Sequence, residues 1–131
     1  MSVLDNIQKA FDTPLMAFGV SEGVSTNLDN IPKSPTEIFL YGYLLDSDLE
    51  PAEMGVSESI TGLYQIDAYY PAKMGSEQIN VMIGKIRAVF HSGSYFEWGD
   101  DCFDVRSNSV SRIIPQGLFV KKSITLSISG F

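Results

Sequence analysis

The middle of the chain carries the pattern that most constrains the fold, a strand period followed at once by a helix period. Over residues 59–70 apolar side chains such as Tyr64 and Ile66 take alternate positions, which is typical of a β-strand with one buried face. Pro71 stops this strand. Over residues 76–91 apolar residues recur at steps of three and four, which predicts an amphipathic helix; they are Ile79, Met82, Ile83, Ile86 and Phe90. We expect this helix to pack on a sheet that contains the strand.

Further patterns complete the predicted architecture. Residues 3–11 place apolar side chains on one helical stripe, and Pro14 is expected to end or kink this first helix. Three more β segments are predicted, over residues 37–45, 95–108 and 119–129. The segment 95–108 is expected to be a short hairpin around Gly99. The order α-β-β-α-β-β predicts one α+β domain over residues 1–131, in which a mainly antiparallel sheet has two helices packed on it.

Three segments between these elements are predicted to be loops. Residues 19–36 are rich in Gly, Ser, Asn and Pro, and residues 109–117 form an irregular linker. Residues 46–58 are predicted as a long acidic hairpin loop, because they hold five carboxylates, a proline and a glycine between two strands. Few apolar groups accompany these charges, so we expect the loop to be mobile in a free subunit and to become ordered on assembly.

The charge of the chain bears on its partners. The formal net charge is −7, which argues against a surface that holds nucleic acid, since phosphate binding needs clustered Lys and Arg. Residues 1–65 hold ten acids and two bases, a net of −8, whereas residues 66–131 hold six acids and seven bases, a net of +1. This asymmetry fits a subunit with complementary faces and equally fits a solvated acidic loop region. No apolar run approaches the ~20 residues that span a bilayer, so we expect no membrane partner.

Candidate catalytic and metal-binding residues are few. The one histidine, His91, falls in the last turn of the predicted helix, where an imidazolium suits the helix dipole. The one cysteine, Cys102, is expected to be a small buried side chain in a strand. Asp100, Asp101 and Asp104 lack the spacing of an EF-hand loop. We therefore expect no enzymatic activity, no cofactor and no metal.

One long segment resembles a known protein family. It spans residues 62–90 and reads GLYQIDAYYPAKMGSEQINVMIGKIRAVF. This segment is similar to the centre of the tail terminator, or tail completion, proteins of long-tailed bacteriophages, where a strand of the type GLYQIDVYxPxGxG precedes a helix rich in Ala and Ile. LDNIPKSP at 28–35 resembles the ENVPFxP segment of the same family. The resemblance covers about residues 28–129, and its most specific part is GLYQID at 62–67 with Pro71.

The resemblance implies a structural virion protein. Subunits of this family form a ring, typically a homohexamer, on the head-proximal end of the completed tail tube. The ring stops tube polymerisation and joins the tail to the head connector. The implied partners are further copies of the chain, the tail tube protein and the head–tail connector or stopper protein, and DNA would pass through the lumen without specific binding. The implied location is the tail or neck of the virion, after assembly in the host cytoplasm.

The charge asymmetry predicts which residues make contacts between subunits. We expect the acidic loop to contact a neighbour through its carboxylates and its apolar anchors, and bases in the second half of the chain to pair with acids. The predicted interface residues are Asp46, Asp48, Leu49, Glu50, Glu53, Met54, Arg106, Arg112, Lys121 and Lys122. Two alternatives remain: a connector or stopper protein of the neck, and a small ligand-binding or enzymatic α+β domain that uses the acids at 100–104.

Overall fold

The computed structural model describes residues 3–27, 38–51, 58–72, 76–99, 101–117 and 119–130. These residues form two helices and a seven-stranded, mostly antiparallel sheet, which confirms the α+β class. The helices are α1 (Val3–Glu22) and α2 (Ser76–Val89); the strands are β1 (Ser25–Asn27), β2 (Phe39–Pro51), β3 (Glu58–Pro71), β4 (Tyr95–Trp98), β5 (Asp101–Val110), β6 (Ile114–Gln116) and β7 (Phe119–Gly130).

The sheet has β3 and β7 at its centre. Its strands follow the order β1-β2-β3-β7-β5-β4, and β6 pairs with the start of β7. The pair β1–β2 is parallel and every other pair is antiparallel. Helix α1 contacts β1 and β2 at one side of the sheet and β4 and β5 at the other, so the sheet curls around it, while α2 contacts β3 and β7. The predicted order α-β-β-α-β-β lacks β1 and β6, whereas the expected hairpin around Gly99 is present as β4 and β5.

Both helices bury their apolar stripes on the same face of the sheet. The alternation predicted for β3 and β7 is confirmed, since Tyr64 and Ile66 on β3 and Ile124 and Leu126 on β7 are fully buried on this face. The apolar face predicted for α2 is buried there too. Helix α1 adds Ile7, Ala10, Phe11, Leu15 and Phe18 to the same core.

Helix α1 does not end at Pro14. It continues for 20 residues, with Pro14 inside it, although proline removes one hydrogen bond from a helix interior. Leu15 and Phe18, beyond the proline, are buried in the core with Phe11, and this burial outweighs the lost bond. Gly42 of β2 lets the helix approach the sheet closely at Leu15. Within the described parts of the chain, neither helix is long and apolar enough to cross a membrane.

The loops predicted from composition are wrong in extent. The backbone of β2 continues through residues 46–51 and pairs with β3 as far as Pro51 and Glu58. Residues 52–57 of the predicted hairpin loop are outside the described part. Residues 19–22 belong to α1 and Ser25–Asn27 form β1, while 28–36 are not described. The linker predicted at 109–117 contains the end of β5 and all of β6.

Candidate functional site

The sheet face opposite the helices carries a cluster of polar and aromatic side chains. We call it the helix-free face, because both described helices pack on the other side. The strand register places Tyr43, Gln65 and Thr125 in one row across β2, β3 and β7. Tyr41, Asp67 and Ser123 form the next row, and Tyr69 of β3 follows. Side chains from three strands thus meet on this face.

Asp67 is the centre of the helix-free face. Its side chain is only 2 % exposed, although it is charged and lies on the face without a helix. The Gln65 amide donates a hydrogen bond to Asp67 at 2.8 Å, and the Tyr43 hydroxyl donates one at 3.3 Å. The Ser123 hydroxyl also donates to Asp67. Three donors from three strands therefore hold one carboxylate, as a buried charge requires.

The tyrosines around Asp67 are held in their neutral form. Burial, the charge of Asp67 and the hydrogen bond to it together raise the pKa of Tyr43 to about 12. Burial and the charge of Asp67 also raise the pKa of Tyr69. Both phenols are therefore protonated at neutral pH and act as hydrogen-bond donors.

Aromatic rings extend the helix-free face toward the start of β2. Phe39 stacks on Tyr69 with ring centroids 4.6 Å apart, and Tyr41 lies 4.9 Å from Tyr43. Tyr41, Tyr43 and Tyr69 are half-buried, and Leu45 at the edge is 50 % exposed. Half-buried tyrosines around a neutralised polar centre suit contact with another protein, where aromatic residues are enriched and charges depleted.

The structure places four of the predicted acidic-loop residues in a strand. Asp46, Asp48, Leu49 and Glu50 lie in the backbone of β2, opposite Leu63, Thr61, Ile60 and Ser59 of β3. Glu53 and Met54 lie outside the described residues. The described acids, Asp46, Asp48 and Glu50, are therefore part of a strand and do not stand on a free loop.

The predicted basic residues lie apart from these acids. Arg112 is exposed after β5, and Lys121 pairs in register with β6 at the end of β7 that is distant from the β2–β3 hairpin. Lys122 turns to the helix side, where its ammonium donates to Asn80 Oδ1 at 2.6 Å. Arg106 is exposed at a bulge in β5. The backbone of the described acids, at 46, 48 and 50, and these bases thus occupy different ends or edges of one sheet.

The residues weighed for catalysis do not converge. His91 is exposed after α2, with Nδ1 3.0 Å from the Ser92 carbonyl oxygen. Cys102 is exposed, not buried as predicted, because Phe103 and Val105 take the core-facing positions of β5. Partial desolvation by its neighbours and the charges of Glu97 and Asp104 raise the pKa of the Cys102 thiol, which disfavours the reactive thiolate. Among the described residues, no group of three His, Cys, Asp or Glu side chains is arranged to hold a metal ion.

The hydrogen-bonded cluster around Asp67 can be identified only in part from sequence patterns. The alternation in β3 predicts that Gln65 and Asp67 share the face opposite the core. Tyr43 and Ser123 are 24 and 56 residues from Asp67 in the chain, so no local pattern connects them. The sequence feature that points to this cluster is an acid, Asp67, in the middle of a predicted strand.

Comparisons with known proteins identify the fold and no family. No protein-family model matches the chain, and no curated protein matches it. Thirteen chains of solved structures match. One of them, a protein whose designation states no function, aligns with a TM-score of 0.76 and 16 % sequence identity, over 93 % of this chain and 91 % of its own. At this identity, the match shows that the fold recurs over nearly the whole of another protein.

Proposed function

We propose that this chain is a tail terminator subunit of a long-tailed bacteriophage. Copies of the chain form a ring, typically of six, that caps the head-proximal end of the tail tube, stops its polymerisation and joins it to the head connector. The proposal begins with the resemblance of residues 62–90 to that family. It places the protein in the virion neck, with no enzymatic role.

The observation that carries the proposal is the composition of the helix-free face. The two helices cover one side of the sheet, while the other side presents Tyr41, Tyr43 and Tyr69 half-buried beside the exposed Leu45. Half-buried tyrosines beside an exposed leucine are typical of a surface that another protein covers. The charge of Asp67, which is buried on this face, is already matched by three donors, so covering the face leaves this carboxylate paired.

The location of the resemblance supports the proposal further. GLYQID at 62–67 lies in β3, between β2 and β7. Alternate residues of this segment lie on the two faces of the sheet. Tyr64 and Ile66 are in the core, while Gln65 and Asp67 are on the helix-free face. The most specific part of the resemblance therefore builds both the fold and the surface we assign to assembly.

The charge arrangement also suits a ring around DNA. Acid positions Asp48 and Asp104 lie in one row across the sheet, near the β2–β3 hairpin, and Lys121 lies at the other end of the strands. A net charge of −7 repels phosphate, which favours passage of DNA over binding.

Electron microscopy of the purified protein tests the proposal directly. Negative-stain images are expected to show rings, and the rings are expected to bind one end of isolated tail tubes. Tyr41→Asp is expected to abolish the rings, because it puts a charge into the covered face. Val81→Asp is the control, since Val81 is 54 % exposed on α2, on the other side of the sheet, and it should leave them intact. A protein that stays monomeric and ignores tail tubes contradicts the proposal.

Gene deletion separates a terminator from a stopper of the neck. Without a terminator, the phage is expected to make filled heads and tails of abnormal length. Without a stopper, tails keep their normal length and heads leak DNA. Tails of normal length in the deletion strain would assign this chain to the neighbouring ring.

A further inference from the structure

A groove lies on the helix side of the sheet, between α2 and the end of β5. Its volume is about 520 Å³, which is within the range of small-molecule sites. Gly84 and Ala88 of α2 form part of its lining, and nothing lies within 4 Å of a Cβ atom placed at Gly84. This part of the groove therefore has room for an apolar group that comes from outside.

The side chains around the groove include bases and exclude acids. Arg87 and His91 line it, and among the described residues no acidic side chain does. Asp104 of β5 lies between the core-facing Phe103 and Val105, so its side chain is on the helix-free face. Arg87 thus gives the groove a positive charge, although the net charge of the chain is −7.

The carbonyl oxygens at this end of α2 are already hydrogen-bonded within the protein. The Phe90 carbonyl accepts a hydrogen bond from Asn108 Nδ2 at 3.2 Å. The His91 carbonyl accepts one from the Ser94 amide at 3.0 Å and one from the Ser94 hydroxyl at 2.6 Å. The last carbonyls of a helix carry a negative partial charge that repels anions, and here donors of the chain itself offset that charge.

Arg87 is the group whose donors remain available. Its Nε donates to Asn108 Oδ1 at 3.1 Å, which fixes the guanidinium on a side chain that the Phe90 carbonyl holds in turn. Within the described part of the chain Arg87 forms no ion pair, whereas Lys85 on the same helix pairs with Glu22 at 2.7 Å. A guanidinium is a planar fork of N–H donors that matches carboxylate and phosphate oxygens. The N–H groups on its two terminal nitrogens are therefore free to bind an oxyanion.

We propose that this groove is a binding site for a small organic anion, whose carboxylate or phosphate group pairs with Arg87. The apolar part of the ligand lies over Gly84 and Ala88. Asn108 is a positioning residue, since it holds Arg87 at Nε and leaves the terminal nitrogens to the ligand. The groove and the helix-free face are on opposite sides of the sheet, so this site does not depend on the proposed ring.

The melting temperature of the full chain, measured against ligand concentration at constant ionic strength, tests the proposal. Phenyl phosphate is the probe for an oxyanion with an apolar part, and inorganic phosphate is the probe for the oxyanion alone. Both are expected to raise the melting temperature in a saturable way. The Kd of phenyl phosphate is expected to be at least about threefold lower, because its ring also buries apolar surface in the groove.

Arg87→Gln is expected to raise the Kd of both probes at least about tenfold, because it removes the charge-assisted hydrogen bonds to the oxyanion. Arg112→Gln is the matched control. Arg112 is also exposed but does not line the groove, so this change should leave both values within about twofold of wild type.

Gly84→Leu tests the apolar part of the site. The leucine side chain occupies space that is open in the structure, so it should weaken phenyl phosphate binding at least about tenfold without lowering the melting temperature of the unliganded chain. The proposal is wrong if phenyl phosphate has no saturable effect on wild type, or if Arg87→Gln binds it as tightly as Arg112→Gln. Equal affinities of wild type for the two probes would also contradict it, because the phenyl ring would then have no place in the groove.

Discussion

Gly42 of β2 lies directly under Leu15 of α1. A Cβ atom at Gly42 would be 2.3 Å from Leu15 Cδ2 and 2.6 Å from the Tyr64 hydroxyl oxygen. Glycine is therefore required here by the close approach of helix and strand. This approach holds α1 on the sheet directly after Pro14.

Gly42→Ala is expected to destabilise the protein by about 1–3 kcal/mol, since the added methyl group overpacks a closed site. Urea unfolding followed by circular dichroism measures the change. Gly84→Ala is the control, because nothing lies within 4 Å of a Cβ at Gly84 in helix α2. That variant should be more stable than wild type by about 0.5–1 kcal/mol, the difference in helix propensity. Equal stability of the two variants would contradict the close packing at Gly42.

Ile83→Ala should cost about 2–5 kcal/mol, the range for truncating an aliphatic side chain in a closed core. Ile83 is 4 % exposed on the face of α2 that packs on the sheet. Val81→Ala serves as the comparison, since Val81 is 54 % exposed on the same helix, and its effect should stay within about 0.5 kcal/mol. A loss well under 1 kcal/mol for Ile83→Ala in chemical denaturation would show that the packing of α2 is misplaced.

Asp67→Ala is expected to destabilise the free subunit by about 1–3 kcal/mol, because it leaves the buried donor on Ser123 and the half-buried donor on Gln65 without their acceptor. Asp104→Ala removes an exposed carboxylate of β5 and should change stability by no more than about 0.5 kcal/mol. Thermal and urea unfolding of the two variants provide the comparison. An unchanged unfolding free energy for Asp67→Ala would show that the hydrogen bonds of Asp67 do not stabilise the helix-free face.

Stability is expected to fall in alkaline solution because of Tyr43. Its folded pKa of about 12 lies above the ordinary value of 10.0, so the unfolded chain loses this proton first as the pH rises. The stabilisation from the neutral phenol is intact below pH 10.0 and is lost as the pH rises through about 12. Unfolding free energies across this range should fall less steeply for Tyr43→Phe than for wild type. Identical slopes would show that this phenol is not held neutral by the fold.

Rings should weaken as the salt concentration rises. Exposed charge pairs are screened beyond about 10 Å at 0.1 M ionic strength, and Arg106 and Arg112 are exposed. Sedimentation velocity from low to molar salt follows the apparent association constant. Assembly that is constant over this range would assign the contacts to apolar groups such as Leu45 and the tyrosines of the helix-free face.

Local sequence patterns determined the elements that carry a strong hydrophobic period. The spacing in residues 76–91 predicted α2 to within two residues of Ser76–Val89, and the alternation in β3 and β7 identified their core positions. These predictions hold because an amphipathic element has one favourable way to bury its apolar face. The α+β class follows from the order of such elements.

Tertiary structure decided the rest, because the deciding partners are distant in sequence. The acidic composition of residues 46–51 predicted a loop, yet pairing with β3 satisfies their backbone groups whatever side chains they carry. Pro14 remains inside α1 because Leu15 and Phe18 are buried beyond it. Likewise, only the strand register brings Tyr43 and Ser123 to Asp67. Periodicity determines which face of an element is apolar, whereas the identity of its neighbours depends on the packing of the whole chain.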